Sequence, residues 1–202
     1  MADTWRQFVV PVIVDDGLTI APAWLDPLPA HGGIVVRVEP GATFGLGNHP
    51  TTVGCARMLR GLDLTGRRVL DVGTGSGVLA VASVLLGAVE AHGVDINPAS
   101  VSIVEANAAL NGVERQVTVS LDTLDVLDNT FEVVLANILA PVLIELAPHL
   151  VRLTDEVLII SGLLEGAYEH VVSALVPLRV RAAIVVDGWI TLALGRSTTE
   201  GE

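Results

Sequence analysis

The sequence predicts an α/β fold: a doubly wound, mostly parallel sheet with one reversed strand supplied by a hairpin at the carboxyl end. Three observations carry this. From Pro50 onward, short apolar runs alternate with segments of helical periodicity. A glycine-rich turn follows the first of those runs and opens directly into a helix. The last two apolar runs are separated only by Asp187-Gly188, a two-residue hairpin signal that makes them antiparallel.

Each element has its own signal. FVVPVIVDD and LTIAP read as two short strands before a turn-rich stretch from Pro22 to Gly33, and GIVVRVEPG alternates into a third that ends at Pro40 and Gly41. In TTVGCARMLRGLDL, residues Val53, Ala56, Met58, Leu59 and Leu62 share a helical face. RRVLDVG is the first central strand, and SGVLAVASVLLGA a buried helix closed by Gly87. AHGVDIN gives a strand and PASVSIVEANAALNG a helix bounded by Pro98 and Asn111-Gly112. QVTVSL and FEVVLANI are strands, APVLIELAPHLVRL a helix with an awkward Pro148, EVLIISG a strand and GAYEHVVSALV a helix. LRVRAAIVV and WITLALGR form the hairpin. Residues 1–49 are thus expected to be lead-in strands and a covering loop, 50–196 the main domain, and 197–202 a disordered tail.

At 202 residues, the chain has room for one substantial core and a small addition. A hydrophobic share of 51%, with 17% charged residues and a mean hydropathy of +0.63, excludes a disordered chain. Aromatics at 3% make the expected core aliphatic. No window approaches the roughly 18 apolar residues of a spanning helix. MADTWRQFVVPVIVDDG has charges and a proline where a signal peptide needs an unbroken apolar stretch. The lone Cys55 permits no internal disulfide and no cysteine cluster for zinc, which fits a reducing cytosol, so a cytoplasmic location is expected. His31, His92, His149 and His170 lack metal-ligand spacing, and no metal is expected. All 11 basic residues are arginine, and with 23 carboxylates the net charge is -12 and the pI about 4.6. Such a field repels nucleic acid and anionic lipid and attracts a basic protein or a small cationic group. Trp24 and Trp189 read as covers of core edges.

The site reading starts at Asp71-Val72-Gly73-Thr74-Gly75-Ser76-Gly77, where glycines let the backbone pass close to a bound group. A dinucleotide fingerprint would place its third glycine at position 78, but that residue is Val78, and no GK[ST] ending supports a triphosphate. Asp95 ends the next strand roughly 20 residues on, where a carboxylate accepts the ribose hydroxyls of a nucleoside. With an acidic residue opening the loop and room for a sulfonium, the pattern favours S-adenosylmethionine and resembles the Rossmann-like class I methyltransferases. Asp122, after the third central strand, is a candidate neighbour of the adenine, although Asp122 and Asp125 equally suit a solvated turn.

EPGATFGLGNHPTT, from Glu39 to Thr52, is too rich in glycine and small polar residues for an ordinary connector. It closely resembles the lid motif of the PrmA-type family, the bacterial ribosomal large-subunit protein eleven methyltransferases. LDLTGRRVLDVGTGSGVLAVAS, the NILA run after Ala136 and the terminal WITLALGR resemble the same family, so that the likeness runs from about Trp5 to Arg196. The resemblance implies that Thr52, Gly73, Asp95 and Asn137 contact the cofactor, with Phe44, Gly45 and His49 in the covering loop. It implies that Asn137 is also the catalytic position, its side-chain oxygen and the Ile138 carbonyl accepting hydrogen bonds from an amine. A loop role for His49, bonding only backbone, stands equally open. No dedicated general base stands out, which leaves the proton to solvent or a nearby carboxylate. Leu46 departs from the family, where a small threonine is usual, and the family's separate amino-terminal, substrate-holding domain is not represented in this chain. The expected activity is methylation of an amine, lysine or amino-terminal, on a basic protein such as a ribosomal protein. A small-molecule N-methyltransferase and a non-catalytic cofactor-binding module remain as alternatives.

Overall fold

A computed structural model describes residues 10–25, 33–39 and 47–196. Phe44, Gly45, Leu46, His31 and the expected tail at 197–202 lie outside the described residues. Three strands, β1 (Val12–Asp15), β2 (Leu18–Pro22) and β3 (Ile34–Val38), form a small sheet in that order. β1 and β2 are antiparallel around a turn in which the Gly17 N–H donates to Asp15 Oδ1, and β2 and β3 are parallel. This sheet has no core of its own: Val14, Leu18, Ile20, Val36 and Val38 are buried in one cluster with Cys55, Leu59, Leu79 and Val104 of the main body.

The main body is a seven-stranded sheet. Its elements in chain order are α1 (Pro50–Arg60), β4 (Arg68–Val72), α2 (Val78–Leu85), β5 (Glu90–Val94), α3 (Ala99–Leu110), β6 (Val117–Ser120), β7 (Phe131–Asn137), α4 (Ala140–Leu153), β8 (Thr154–Leu164), α5 (Glu169–Ala174), β9 (Arg179–Val186) and β10 (Trp189–Gly195). The sheet order is β6-β5-β4-β7-β8-β10-β9. β4 to β8 pair in parallel, and β10 runs antiparallel to both of its neighbours. The fold is the expected α/β class, and the reversed strand is β10. Composition explains that placement: β10 is buried along nearly its whole length, whereas β9 carries Arg179 and Arg181 and is mostly exposed at the sheet edge. Asp187 (φ 49°) and Gly188 (φ 78°) both take left-handed backbone, as a tight two-residue turn requires.

Helices α1, α2 and α3 pack on one face of the sheet and α4 and α5 on the other, each face burying its own aliphatic cluster. The largest side chains buried to under 2% exposure are all leucine or isoleucine. α1 ends at Arg60, short of the expected Leu64, because Gly61 caps it and Asp63 Oδ1 accepts the Thr65 N–H in the following turn. α1 is also buried on more than one face, wedged between the two sheets. α4 passes through Pro148, which lies on its exposed side, where the Ile144 carbonyl left without a partner can face water. β8 is longer than the pattern indicated and α5 shorter. Chain direction reverses across β4: it proceeds to β5 and β6 on one side and returns to β7 on the other, which opens a crevice beyond the carboxyl ends of β4, β5 and β7.

Candidate active site

That crevice holds a cavity of about 580 Å³, within the range of small-ligand pockets. Its wall begins with the glycine loop. Gly73, Gly75 and Gly77 all have positive φ, between 57° and 77°, a region in which a side chain is strained. The loop is tied to the end of β5 by Gly73 and Thr74 N–H groups that donate to the Val94 carbonyl. At Gly73 a Cβ would lie 2.5 Å from Ile138 Cγ2, so a glycine is what brings the loop against the NILA run. Gly77 lies beneath, starting α2, where a Cβ would meet Val104 of α3 at 3.0 Å; its part is helix packing rather than lining the cavity.

Three carboxylates face this space in different states. Asp71 is 2% exposed, and burial pushes its pKa up to about 6, against the opposing donations of the Thr74 hydroxyl (2.8 Å) and the Ala80 N–H. Asp95, half-buried at the end of β5, accepts the Gly75 N–H at Oδ2 (2.8 Å) and the Asn97 N–H at Oδ1 (2.9 Å). It therefore orders the glycine loop, a role not foreseen, and each of its oxygens still has a lone pair for a hydroxyl in the cavity. Asp122 is exposed at the rim.

Across the cavity, Asn137 ends β7, and its Nδ2 donates to Thr52 Oγ1 of α1 at 3.4 Å, which leaves Oδ1 available as an acceptor. The Ile138 carbonyl lies against Gly162 of β8, where a Cβ would sit 2.2 Å from the oxygen, and Gly162 has φ 89°. Only glycine keeps that carbonyl clear of a side chain. His49 caps α1: its Nδ1 accepts the Thr51 N–H and lies 2.7 Å from Thr51 Oγ1, and its ring meets Trp189 edge-on at 5.0 Å. Thus Thr52, Asp71, Gly73, Gly75, Asp95, Asp122, Asn137 and Ile138 converge on one cavity. Among the described residues no group of three or more His, Cys, Asp or Glu is placed to hold a metal, and no helix is long and apolar enough to cross a membrane.

The apolar part of the lining was missed by sequence reasoning. Ile96, fully exposed beside Asp95, and Leu139, Val142 and Leu146 along α4 give the cavity its greasy rim. The available signal was on α4, where Leu143, Ala147 and Leu150 already fill the core and the adjacent apolar row is more than the core needs. For Gly162, the signal was a glycine inside the apolar strand LIISGLL.

A family model, ribosomal protein L11 methyltransferase (PrmA), matches residues 2–197. The chain belongs to this family. The PrmA relative from Symbiobacterium thermophilum, ribosomal protein L11 methyltransferase, is 38% identical over 199 residues, covering 95% of this chain and 64% of its own length. The relative of the same name from Geobacter sulfurreducens is 41% identical over 207 residues, covering 100% of this chain and 63% of its own. This chain therefore spans a little over three-fifths of the length of these curated relatives. The crystal structure of ribosomal protein L11 methylase from Lactobacillus delbrueckii subsp. bulgaricus superposes with a TM-score of 0.84 at 32% identity, covering 93% of this chain and 99% of that one.

Proposed function

We propose that this PrmA-family chain carries the catalytic domain of an S-adenosylmethionine-dependent protein methyltransferase, and that its acceptor is an amine of a ribosomal protein; the names of its relatives state a ribosomal protein, L11, as what they methylate. The observation that carries the proposal is the meeting, in one cavity, of the glycine loop, Asp95 and Asn137 from three strand ends. The cavity fits the cofactor chemically: Asp95 has acceptor capacity left for ribose hydroxyls, and Gly73 and Gly75, which carry no side chain, admit a bulky group close to the loop backbone. Asp71 and Asp95 supply negative potential for a cationic ligand, and Ile96 supplies an apolar surface for a flat base.

When bound, S-adenosylmethionine supplies an electrophilic methyl group. The chain's own task is then to hold an uncharged amine beside it. Asn137 Oδ1, oriented by the bond from Nδ2 to Thr52, and the Ile138 carbonyl accept the amine hydrogens, so that the nitrogen lone pair points into the cavity. The proton leaves to solvent. The net charge of -12 draws in a basic acceptor protein and opposes direct nucleic-acid binding. Cytoplasm, where ribosomal proteins are made, is the location this reading requires. The test is methyl transfer from labelled S-adenosylmethionine to purified ribosomal protein L11, beside a panel of small amines. Label on the protein alone is expected. Label on a small amine alone would replace the acceptor, and no binding of S-adenosylmethionine in calorimetry would end the enzymatic reading.

A further inference from the structure

We infer that Asn107 is a positioning residue for the glycine loop, which ties the loop's geometry to the small sheet; this rests on the methyltransferase reading for its consequence but not for its geometry. Asn107 lies on α3, is 1% exposed and has a fully engaged amide. Its Oδ1 accepts the Glu39 N–H at 2.8 Å, and its Nδ2 donates both to the Glu39 carbonyl at 3.0 Å and to the Ser76 carbonyl at 2.8 Å. One turn on, Asn111 repeats half of this pattern: it accepts the Arg37 N–H at 2.8 Å and donates to the Arg37 carbonyl at 2.7 Å, but its other donation goes to Asn107 of its own helix.

The spacing explains the pairing. Four residues of helix rise about 6 Å, and two residues of strand about 6.6 Å, so asparagines four apart on α3 meet residues two apart at the end of β3. Each amide offers one donor and one acceptor, as a neighbouring strand would, and the pair closes the open edge of β3. Both asparagines therefore hold the small sheet, but only Asn107 also holds Ser76, between Gly75 and Gly77. That peptide lies in a segment with two positive-φ glycines and has little intrinsic preference for one conformation. Beside this contact α3 and the loop pack tightly, since a Cβ at Gly77 would meet Val104 at 3.0 Å. A single buried amide thus fixes, at one point, the backbone presented to the cavity and the end of the strand that leads into the segment after Glu39.

Asn111 is the built-in control, because its loss weakens the strand attachment without touching the loop. The experiment compares Asn107→Ala and Asn111→Ala with the unaltered chain, measuring S-adenosylhomocysteine affinity by calorimetry and amide hydrogen exchange across residues 73–78 without ligand. Asn107→Ala is expected to weaken binding about tenfold and to speed exchange in the loop. Asn111→Ala is expected to change affinity less than twofold and leave loop exchange as it was, although both lower the melting temperature. Equal effects of the two variants, or an unchanged loop in Asn107→Ala, would overturn the inference. Should Asn107→Ala fail to fold, Asn107→Ser, which keeps one donor, carries the same comparison. If the unaltered chain binds no S-adenosylhomocysteine while loop exchange still separates the two asparagines, the methyltransferase reading fails and the positioning role stands.

Discussion

Replacing Asp71 by asparagine isolates the cost of the buried carboxylate under the glycine loop. In the folded chain its pKa is pushed up to about 6 by burial, against a usual 3.8. The folded state therefore holds a proton that the unfolded chain releases between those two values, and stability attributable to this group falls as pH rises through that window. Above pH 6 both states are ionised, and the folded one bears a buried charge at a cost of about 3 kcal/mol. Asp71→Asn removes the titration while keeping the shape. Its side-chain oxygen can still accept the Ala80 N–H while the Thr74 hydroxyl turns from donor to acceptor. Chemical denaturation of both proteins at pH 4, 5, 6 and 7.5 should show the stability difference move in the variant's favour by about 2 kcal/mol between pH 4 and pH 7, then level off. The variant should also bind S-adenosylmethionine more weakly at pH 7.5, because the charge that destabilises the fold is the one that attracts a cation. A stability difference that stays flat from pH 4 to 7.5 would refute the argument.

Further outcomes follow from the same geometry. Asp95→Ala should cost roughly 1.5 to 3 kcal/mol of cofactor affinity in calorimetry, since it removes both the proposed ribose acceptor and the anchor of the Gly75 N–H; undiminished affinity would sink the assignment. Asn137→Ala should lower the single-turnover rate more than it lowers cofactor affinity, and an equal loss in both would mark it as a cofactor ligand only. Gly162→Ala should destabilise by more than about 2 kcal/mol, because a Cβ meets the Ile138 carbonyl at 2.2 Å. Gly166→Ala, with a similar φ of 80° but open space around it, should cost only about 1 kcal/mol, and denaturation of the two side by side tests whether contact or backbone strain dominates at Gly162.

The fold was legible where one physical pressure acts along a continuous stretch. Strands buried on both faces, such as Val133 to Ala136, must be apolar throughout, and Asp187-Gly188 admits almost nothing but a tight hairpin. Boundaries were less legible because they depend on caps and neighbours: Gly61 stopped α1 early, and pairing with β10 carried β8 past Gly162, where β7 has already ended. The parallel pairing of β2 with β3 left no local mark, since it is decided by what the two strands bury against α1 and α2.

The site divides along the same line. Glycine and carboxylate at strand ends, spaced by one strand–helix–strand unit, are readable because the chain delivers them to the crevice whatever else it does; Asp71, Gly73, Gly75 and Asp95 belong to this group. Gly162, Asn107 and the apolar row Leu139, Val142 and Leu146 depend on which distant element comes to lie opposite. An asparagine on a helix reads as a surface residue until the end of a strand and a loop carbonyl arrive together at its amide. Asp95 shows that even a legible residue was only half read: the spacing that suggests a ribose acceptor also allows its carboxylate to reach back over 20 residues and take the Gly75 N–H. Under the proposed role of Asp95 as ribose acceptor, ligand recognition and loop ordering are coupled in one side chain, and Asp95→Ala tests both together.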